Sequence, residues 1–388
     1  IYIQACNKKL KVDQADIQGM TPLHHSARNG HIQVAEFLIQ SGATVDKKSK
    51  EGWTALHLTC ENGHVDVVEL LLCQGADANA INKKHITSLM LASREGHVPV
   101  IEILLKHGAE FERSAEGKTA LSFAARSGKV DAMRSLVLGL KKQKKLEMLN
   151  LTTTSTPRTP LMHAAECGEL EICKCLIEEA GCDITKTEQF GREALHFAVE
   201  FEHLKCVEYL LSKGARVTHA DDTENGKCLC VYKKKHLHTH THIPYHITGT
   251  TLLAYACAKG NYNIANVLIE SGADPDDGGK VSTPMMWAAQ NGHGNLVTLL
   301  LKNGADISRK VQNLTPLQFA VLTGNIPMFK LLVVRGAWTG KDKMPCGLGG
   351  EGDEFVKVAE KVLSGKIETR RVLTKRDVQM FTRTIDCL

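Results

Sequence analysis

The sequence lacks any apolar run of the roughly 18 residues that are needed to cross a bilayer, and it opens without a signal-peptide pattern. It also lacks an initiator methionine, so its start at Ile1 predicts a fragment of a longer protein. Its 13 cysteines are too sparse and irregular for a disulfide scaffold. Free, buried thiols indicate a reducing compartment, and we therefore expect a cytoplasmic or nuclear protein that does not insert into membranes.

Catalytic motifs are missing as well, since neither G-x-S-x-G nor H-E-x-x-H occurs. Gly347, Gly349 and Gly352 match G-x-G-x-x-G, but no apolar strand precedes them and two acids follow. Gly117-Lys118-Thr119 resembles the end of a phosphate-binding loop, yet Glu112 stands where that loop needs its first glycine. The sequence therefore predicts no enzyme, no catalytic residue and no cofactor.

The net positive charge is small outside one segment. The formal net charge is +5, and residues 227–249 supply four of those charges as lysines without a single acid. A nearly neutral remainder gives little support to a general affinity for nucleic acid, which is the weakest of the three functional interpretations below.

The sequence does contain a repeat. A threonine two residues before a leucine or methionine recurs, once replaced by glutamate, at spacings of 33, 33, 32, 40, 34, 58, 32 and 32 residues. Six of these eight spacings lie between 32 and 34, which predicts a repeat architecture. The nine anchor residues are Thr21, Thr54, Thr87, Thr119, Thr159, Glu193, Thr251, Thr283 and Thr315.

Local rules predict two short helices and a protruding turn in each unit. The anchor threonine is a typical helix N-cap, and the proline that often follows it fits the first helical position, where a missing N–H costs nothing. A glycine nine residues after most anchors predicts a left-handed end to the first helix, and the apolar second helix stops at a Gly-Ala pair. One unit cannot bury its own apolar face, so stability must come from stacking.

Thr21-Pro22-Leu23-His24 and Thr54-Ala55-Leu56-His57 resemble the T-P-L-H-x-A signature of the ankyrin family, and the resemblance covers roughly residues 10–340. It implies an all-α ankyrin-repeat solenoid with β-hairpin-like fingers and nine full repeats plus a partial first one. We expect the partial repeat at residues 1–20, the nine repeats at 21–340, and a linker with a helical tail at 341–388.

The recurring histidines predict structural contacts. His24, His57 and His196 share one place in the repeat, and His31, His64, His97 and His293 follow the turn glycine. A histidine at a fixed place in a repeat is expected to tie a turn to its neighbour by hydrogen bonds.

Two repeats depart from the pattern. Repeat six has Glu193 in place of the capping threonine and Glu202 in place of the turn glycine, which predicts lower stability there. Repeat four has Gly139-Leu140 in place of Gly-Ala and about seven extra residues from Lys141 onward. These extra residues predict a longer solvated loop or, alternatively, a basic contact or nuclear-import patch.

The 58-residue spacing between Glu193 and Thr251 is explained if residues 227–249 are an insert in repeat six. We interpret the insert as a translated intron, because Gly226-Lys227 can encode a splice donor and Thr248-Gly249 an acceptor. Residues 238–242 alternate His and Thr, as a CA dinucleotide repeat would encode. The alternative is a genuine surface loop, which chain entropy tolerates. The alternating histidines lack the spacing of a tetrahedral metal site, so we predict no metal.

The ankyrin resemblance implies that a partner protein binds on the concave surface that the fingers and first helices form, which makes the protein an adaptor or scaffold. The main alternative is the regulatory arm of a larger enzyme, channel or ubiquitin ligase whose other domain lies outside this chain. Nucleic-acid binding is the third interpretation.

Two sets of site residues follow. Finger tips in the first half are basic, while residues 274–277 are acidic, so we predict a partner with an acidic segment at the basic end. Residues 71–79, LLCQGADAN, resemble the segment that an iron- and 2-oxoglutarate-dependent asparaginyl hydroxylase modifies in ankyrin proteins, which makes Asn79 a candidate for hydroxylation. The alternative is that Asn79 only closes its turn. The predicted partner-binding residues are Lys47, Lys48, Lys50, Lys83, Lys84 and His85.

Overall fold

The computed structural model describes residues 11–111, 114, 117–150, 158–217, 250–279, 282–311, 314–323 and 325–337. The chain divides into two compact units, residues 1–189 and 190–388. The predicted insert at 227–249, the tail at 341–388 with its glycine motif, and residues 1–10 of the partial repeat lie outside the described residues. The domain limits drawn from the sequence therefore stay predictions.

In the described residues of the first unit, short helices form five pairs. A 3-10 helix, Leu146–Asn150, follows α8, and a π-helical turn, Cys175–Glu179, continues α10. The helices are α1 Pro22–Arg28, α2 Ile32–Gln40, α3 Ala55–Asn62, α4 Val65–Cys73, α5 Ser88–Glu95, α6 Val98–Lys106, α7 Ala120–Arg126, α8 Val130–Gln143, α9 Pro160–Cys167 and α10 Leu170–Lys174.

The part of the second unit that the structure describes contains four pairs of the same kind. Its helices are α11 Ala194–Glu200, α12 Leu204–Ser212, α13 Leu252–Lys259, α14 Tyr262–Glu270, α15 Pro284–Asn291, α16 Gly294–Lys302, α17 Pro316–Leu322 and α18 Ile326–Val334.

Within each unit, helices stack on the equivalent helices of neighbouring repeats. In the first unit α1, α3, α5, α7 and α9 pack in succession, and so do the second helices α2, α4, α6 and α8. Small residues allow this approach, since Ala164 and Ala165 are fully buried, as are Ala288 and Ala289 in the second unit. The predicted all-α ankyrin-repeat fold is confirmed. The described residues contain one helix pair at each anchor, while the number of repeats in the protein stays a prediction.

The anchor threonines cap the first helices as predicted. The Thr54 hydroxyl accepts a hydrogen bond from the His57 N–H at 3.4 Å, and Thr87 and Thr283 accept the equivalent bonds at 3.3 and 3.2 Å. At repeat six, where Glu193 replaces threonine, the His196 ring accepts from the Glu193 N–H at 3.1 Å. Repeat six thus keeps the reciprocal bond from the anchor N–H to the histidine ring, which His24 and His57 also make.

The fingers are tight turns and not paired strands. Ser49 donates its N–H to the Trp53 carbonyl at 2.9 Å, and Asn82 donates to Ile86 at 3.2 Å. No strand occurs in the described parts of the chain, where the one isolated bridge joins Val311 to Leu314. The fingers therefore have hairpin shape without forming a sheet.

The segment predicted as a longer solvated loop from Lys141 onward is largely exposed over residues 141–147, but most of residues 141–150 are helical and not a loop. Instead α8 continues to Gln143, and Leu149 of the following 3-10 helix is buried. Gly139 does not end a helix either: it lies inside α8, where a Cβ would come within 2.7 Å of the Leu105 side chain. Close packing against α6 explains this glycine better than a turn does.

Glu202 occupies a left-handed backbone conformation, with φ of 63°, at the turn where most repeats have glycine. This conformation costs a side-chain-bearing residue about 1 kcal/mol or more. We therefore expect Glu202→Gly to raise the free energy of unfolding by about 1 kcal/mol, measured by urea titration. Glu202→Ala is the matched control, because it removes the carboxylate but keeps the strain. An equal gain in both variants would assign the effect to the carboxylate.

Candidate functional site

The finger tips of the first unit are held in shape by polar side chains. We define the first finger as residues 14–20, the second as 47–53 and the third as 80–86. In the third, Asn82 Oδ1 accepts from the N–H groups of Lys84 and Ile86 at 2.8 and 3.0 Å. Asp16 and Ser49 occupy the same place in the first and second fingers and accept similar bonds. Each tip is therefore fixed before a partner arrives.

Backbone hydrogen bonds join neighbouring fingers to one another. Lys50 donates its N–H to the Gln18 carbonyl at 2.9 Å, and Lys83 donates to Glu51 at 3.0 Å. The three fingers consequently form one continuous edge of the first unit, and the predicted basic residues lie together on its second and third fingers.

All six predicted partner-binding residues are exposed, and two of them have local contacts. Lys48 Nζ donates to the Ile81 carbonyl at 3.2 Å, and Lys83 Nζ lies 3.7 Å from Glu51 Oε1. Lys47, Lys50 and Lys84 have no acidic partner among the described residues. His85 has a positive φ of 53° at the place where the first two fingers have glycine. The six residues are Lys47, Lys48, Lys50, Lys83, Lys84 and His85.

One carboxylate of the acidic run at residues 274–277 forms hydrogen bonds between repeats. Asp276 accepts the Asp306 N–H of the next repeat at 2.9 and 3.0 Å. Asp46 accepts the Asp77 N–H in the same way, at 3.1 and 3.3 Å. A carboxylate or amide at this place therefore links one repeat to the next.

Asn79 is one of these linking residues. Its Oδ1 accepts the Glu110 N–H at 2.8 Å, and its Nδ2 donates to the Gly108 carbonyl at 3.1 Å. Asn79 therefore has a structural role, which is to link its turn to the next repeat.

Hydroxylation of Asn79 stays a prediction. Because both ends of the carboxamide are hydrogen-bonded, we expect modification only in chains where this turn has opened. The expected result is a partial population of the peptide spanning Asn79 with one added oxygen, seen by mass spectrometry after exposure to active hydroxylase. Complete absence of that species, even after mild destabilisation with urea, would exclude the modification.

The recurring histidines join repeats, as predicted. His57 Nε2 donates to the Ile86 carbonyl of the next finger at 2.9 Å, and its Nδ1 accepts the Thr54 N–H at 3.2 Å. His24 makes the same bonds to Trp53 and Thr21. Burial lowers the pKa of both rings, that of His57 to about 4. These neutral, fully engaged rings hold structure and are not available as general bases.

The histidines after the turn glycines also bridge repeats. His64 Nε2 donates to the Arg28 carbonyl at 3.0 Å, and His97 Nε2 donates to the Glu61 carbonyl at 3.1 Å. Each ring covers the turn glycine of the preceding repeat: a Cβ on Gly30 would meet the His64 ring at 2.6 Å.

One cluster of charged groups is perturbed enough to resemble a catalytic site. Burial alone would raise the pKa of Glu166, but hydrogen bonds from His163 and Arg158 hold it at about 2. Arg158 lies 2.7 Å from Glu166 and Arg126 lies 3.4 Å from it. The mutual pairing of these groups accounts for the perturbed pKa without any reaction.

A groove between fingers and first helices is a feature that sequence reasoning missed. It has a volume of about 470 Å³, and its lining includes Ile17, Arg28, Lys50 and Trp53. The sequence shows only that Ile17 is unusual, since it stands at the finger position where the next two fingers have lysine, and this does not indicate a groove.

Within the described ranges, no helix combines the length and apolar character of a membrane span. The same residues contain no group of three or more histidine, cysteine or acidic side chains placed to hold a metal ion. The eight described cysteines are all free thiols.

A family model described as "Ankyrin repeats (3 copies)" matches residues 2–82, 75–147, 141–221 and 253–342. The matches stop at residue 221 and resume at 253, so residues 222–252, which contain the predicted insert, are unmatched. This gap agrees with an insertion into repeat six. Whether the insert is a translated intron or an expressed loop stays open.

The chain is also similar to a much longer protein, the "Ankyrin repeat and KH domain-containing protein mask-1" of Caenorhabditis elegans. The two are 30% identical in an alignment of 187 residues that covers 42% of this chain and 6% of that relative. The chain therefore spans only a small part of this relative's length.

Proposed function

Since this chain belongs to the ankyrin-repeat family, whose repeats are generally protein-interaction modules, we propose that it is an adaptor or scaffold for a partner protein. The partner binds the face that the finger tips and first helices line, which is the concave face expected from the resemblance. It presents an acidic segment to the second and third fingers. The observation that supports this proposal is the set of six exposed basic residues on two adjoining, rigid fingers.

Charge on these fingers affects recognition more than folding. The tips are held by backbone and Asx contacts that do not involve the lysine side chains of Lys47 and Lys84. Complementary charge speeds association and excludes wrong partners, whereas like charges across an interface cost several kcal/mol. A charge reversal should therefore weaken binding while the helix pairs stay folded.

We expect the Lys47→Glu, Lys48→Glu, Lys83→Glu, Lys84→Glu variant to lose at least about tenfold in partner capture at low salt. The measurement is quantitative mass spectrometry of proteins retained by the immobilised chain, with circular dichroism to verify folding. The matched control reverses four exposed lysines of the second helices: Lys106, Lys142, Lys205 and Lys302.

Unchanged capture by the finger variant at low salt would show that the fingers are wrongly assigned as the binding face. An equal loss of partner capture in the control variant would show that the net charge of the chain, and not the position of the lysines, causes the effect.

The alternative proposal, a regulatory ankyrin arm of a larger protein, is supported by one observation: the aligned stretch is only 6% of the worm relative, so ankyrin repeats there are one part of a far longer chain. Either way we propose a binding and not a catalytic role for the repeats. We also propose a cytoplasmic or nuclear location, which the free and mostly buried cysteines among the described residues support.

A further inference from the structure

The groove lies where the first two fingers meet the first helices α1 and α3. Finger residues Ile17, Lys50 and Trp53 line one side, and Arg28 and Glu61 at the ends of α1 and α3 line the other. Its volume of about 470 Å³ is enough for one or two large side chains and too small for a folded domain.

One rim of the groove is apolar without a structural reason. The Ile17 side chain is 88% exposed, whereas the equivalent residues of the next two fingers, Lys50 and Lys83, are charged. Met20 and Trp53 beside it are only half-buried, and the floor contains the buried Leu58. An isoleucine that is this exposed buries little apolar area against the described residues, but it would contribute to binding an apolar side chain.

The charges around the groove are unbalanced. Its two acids are already paired, Glu61 with Arg94 at 2.7 Å and Glu51 with Lys83 at 3.7 Å. The side chains of Arg28 and Lys50 have no acidic partner among the described residues. The groove therefore offers two uncompensated cations next to an apolar hollow.

We propose that this groove binds a short peptide segment in which a large apolar side chain stands within two residues of a carboxylate. The apolar side chain fills the hollow beside Ile17 and Trp53, and the carboxylate binds Arg28 and Lys50. The inference rests on the proposed function, because it takes a partner protein as the source of the peptide. Nucleic acid fits less well, because the groove offers only two unpaired cations beside a partly apolar lining and not an extended basic surface.

The test uses a phage-displayed library of random dodecapeptides, selected on the full chain at low salt. Enriched peptides should share leucine, isoleucine, phenylalanine or tryptophan within two positions of aspartate or glutamate. Synthetic peptides carrying that pattern should bind about tenfold more weakly to Ile17→Asp and to the Arg28→Glu, Lys50→Glu variant.

Two controls are matched in chemistry and lie outside the groove. Leu138→Asp removes an apolar side chain that is 56% exposed on α8, and Lys142→Glu reverses an exposed charge on the same helix. Both should leave peptide affinity unchanged. Because Ile17, Arg28 and Lys50 are all exposed, their variants should keep the wild-type helix content.

The proposal is overturned if no peptide is enriched, if the enriched peptides lack an acid, or if their affinity is the same for groove and control variants. This outcome can be separated from failure of the proposed function. If no acidic apolar peptide is enriched but partner capture depends on Lys47, Lys48, Lys83 and Lys84, only the groove proposal fails. If the peptides bind the groove but partner capture is unchanged when those lysines are reversed, only the proposal that the finger lysines bind the partner fails.

Discussion

Acidification from pH 6.5 to pH 4 should lower the unfolding free energy of the wild-type protein by about 3 kcal/mol more than that of a His57→Gln variant. Burial lowers the pKa of His57 from its ordinary 6.5 to about 4 in the folded state. Between pH 6.5 and pH 4, His57 is mostly protonated in the unfolded chain and mostly neutral in the folded chain. The free energy of unfolding therefore falls by about 1.4 kcal/mol per pH unit as the pH falls.

Local geometry agrees with this direction. His57 Nδ1 accepts the Thr54 N–H, and a proton there would put two donors face to face. His57 is also fully buried, so water cannot compensate. Stability from this residue is therefore complete above pH 6.5 and is lost as the pH falls toward 4.

Urea unfolding at half-unit pH steps measures the effect. The variant starts less stable, because it loses contacts between repeats, but its stability should depend less on pH. Burial also lowers the pKa of His24 and His163, so some dependence remains in the variant. Parallel pH profiles for the two proteins would mean that His57 titrates in the folded state as it does in the unfolded chain.

Gly63→Ala should destabilise the protein by about 3 kcal/mol, against about 1 kcal/mol for Gly75→Ala. Both glycines have a left-handed φ, +78° and +82°, so both variants carry the backbone cost of about 1 kcal/mol. They differ in surroundings: a Cβ on Gly63 would meet the His97 ring at 2.6 Å, whereas Gly75 has nothing within 4 Å.

The difference between the two variants measures the contact between repeats. Displacing the His97 ring breaks its hydrogen bond to the Glu61 carbonyl, which adds roughly 1–3 kcal/mol when the carbonyl is left unpaired. Equal losses in the two variants, measured by urea titration, would show that the ring moves aside freely and that this histidine does not hold the repeats together.

Local signals in the sequence were enough to predict the helix pairs. Thr54 as an N-cap, His57 as a bridge and Gly63 as a left-handed end each depend on residues within one repeat or its neighbour. The repeat pattern does not predict the long form of α8, because Gly139-Leu140 stands where the second helix of other repeats ends at Gly-Ala. The actual reason for Gly139 is the nearness of Leu105 on another helix, a contact that no local pattern encodes.

The candidate site could be predicted only in part. The finger lysines were visible as a run of like charge, and their exposure follows from their position in a turn. The groove could not be seen, because Ile17 and Arg28 become neighbours only when a finger folds back against a helix. The sequence also does not show which charges around the groove are paired. Glu61, for example, forms an ion pair with Arg94 of the next repeat.

The most direct test of the account is the hydrogen-exchange footprint of a bound partner. Amide exchange is compared for the free chain and for the complex with the main protein that the wild-type chain captures. Binding on the proposed face predicts slower exchange in peptides covering residues 14–20, 47–53 and 80–86, with peptides from α4 and α6 unchanged. Protection confined to α4 and α6, with the fingers exchanging as in the free chain, would contradict it.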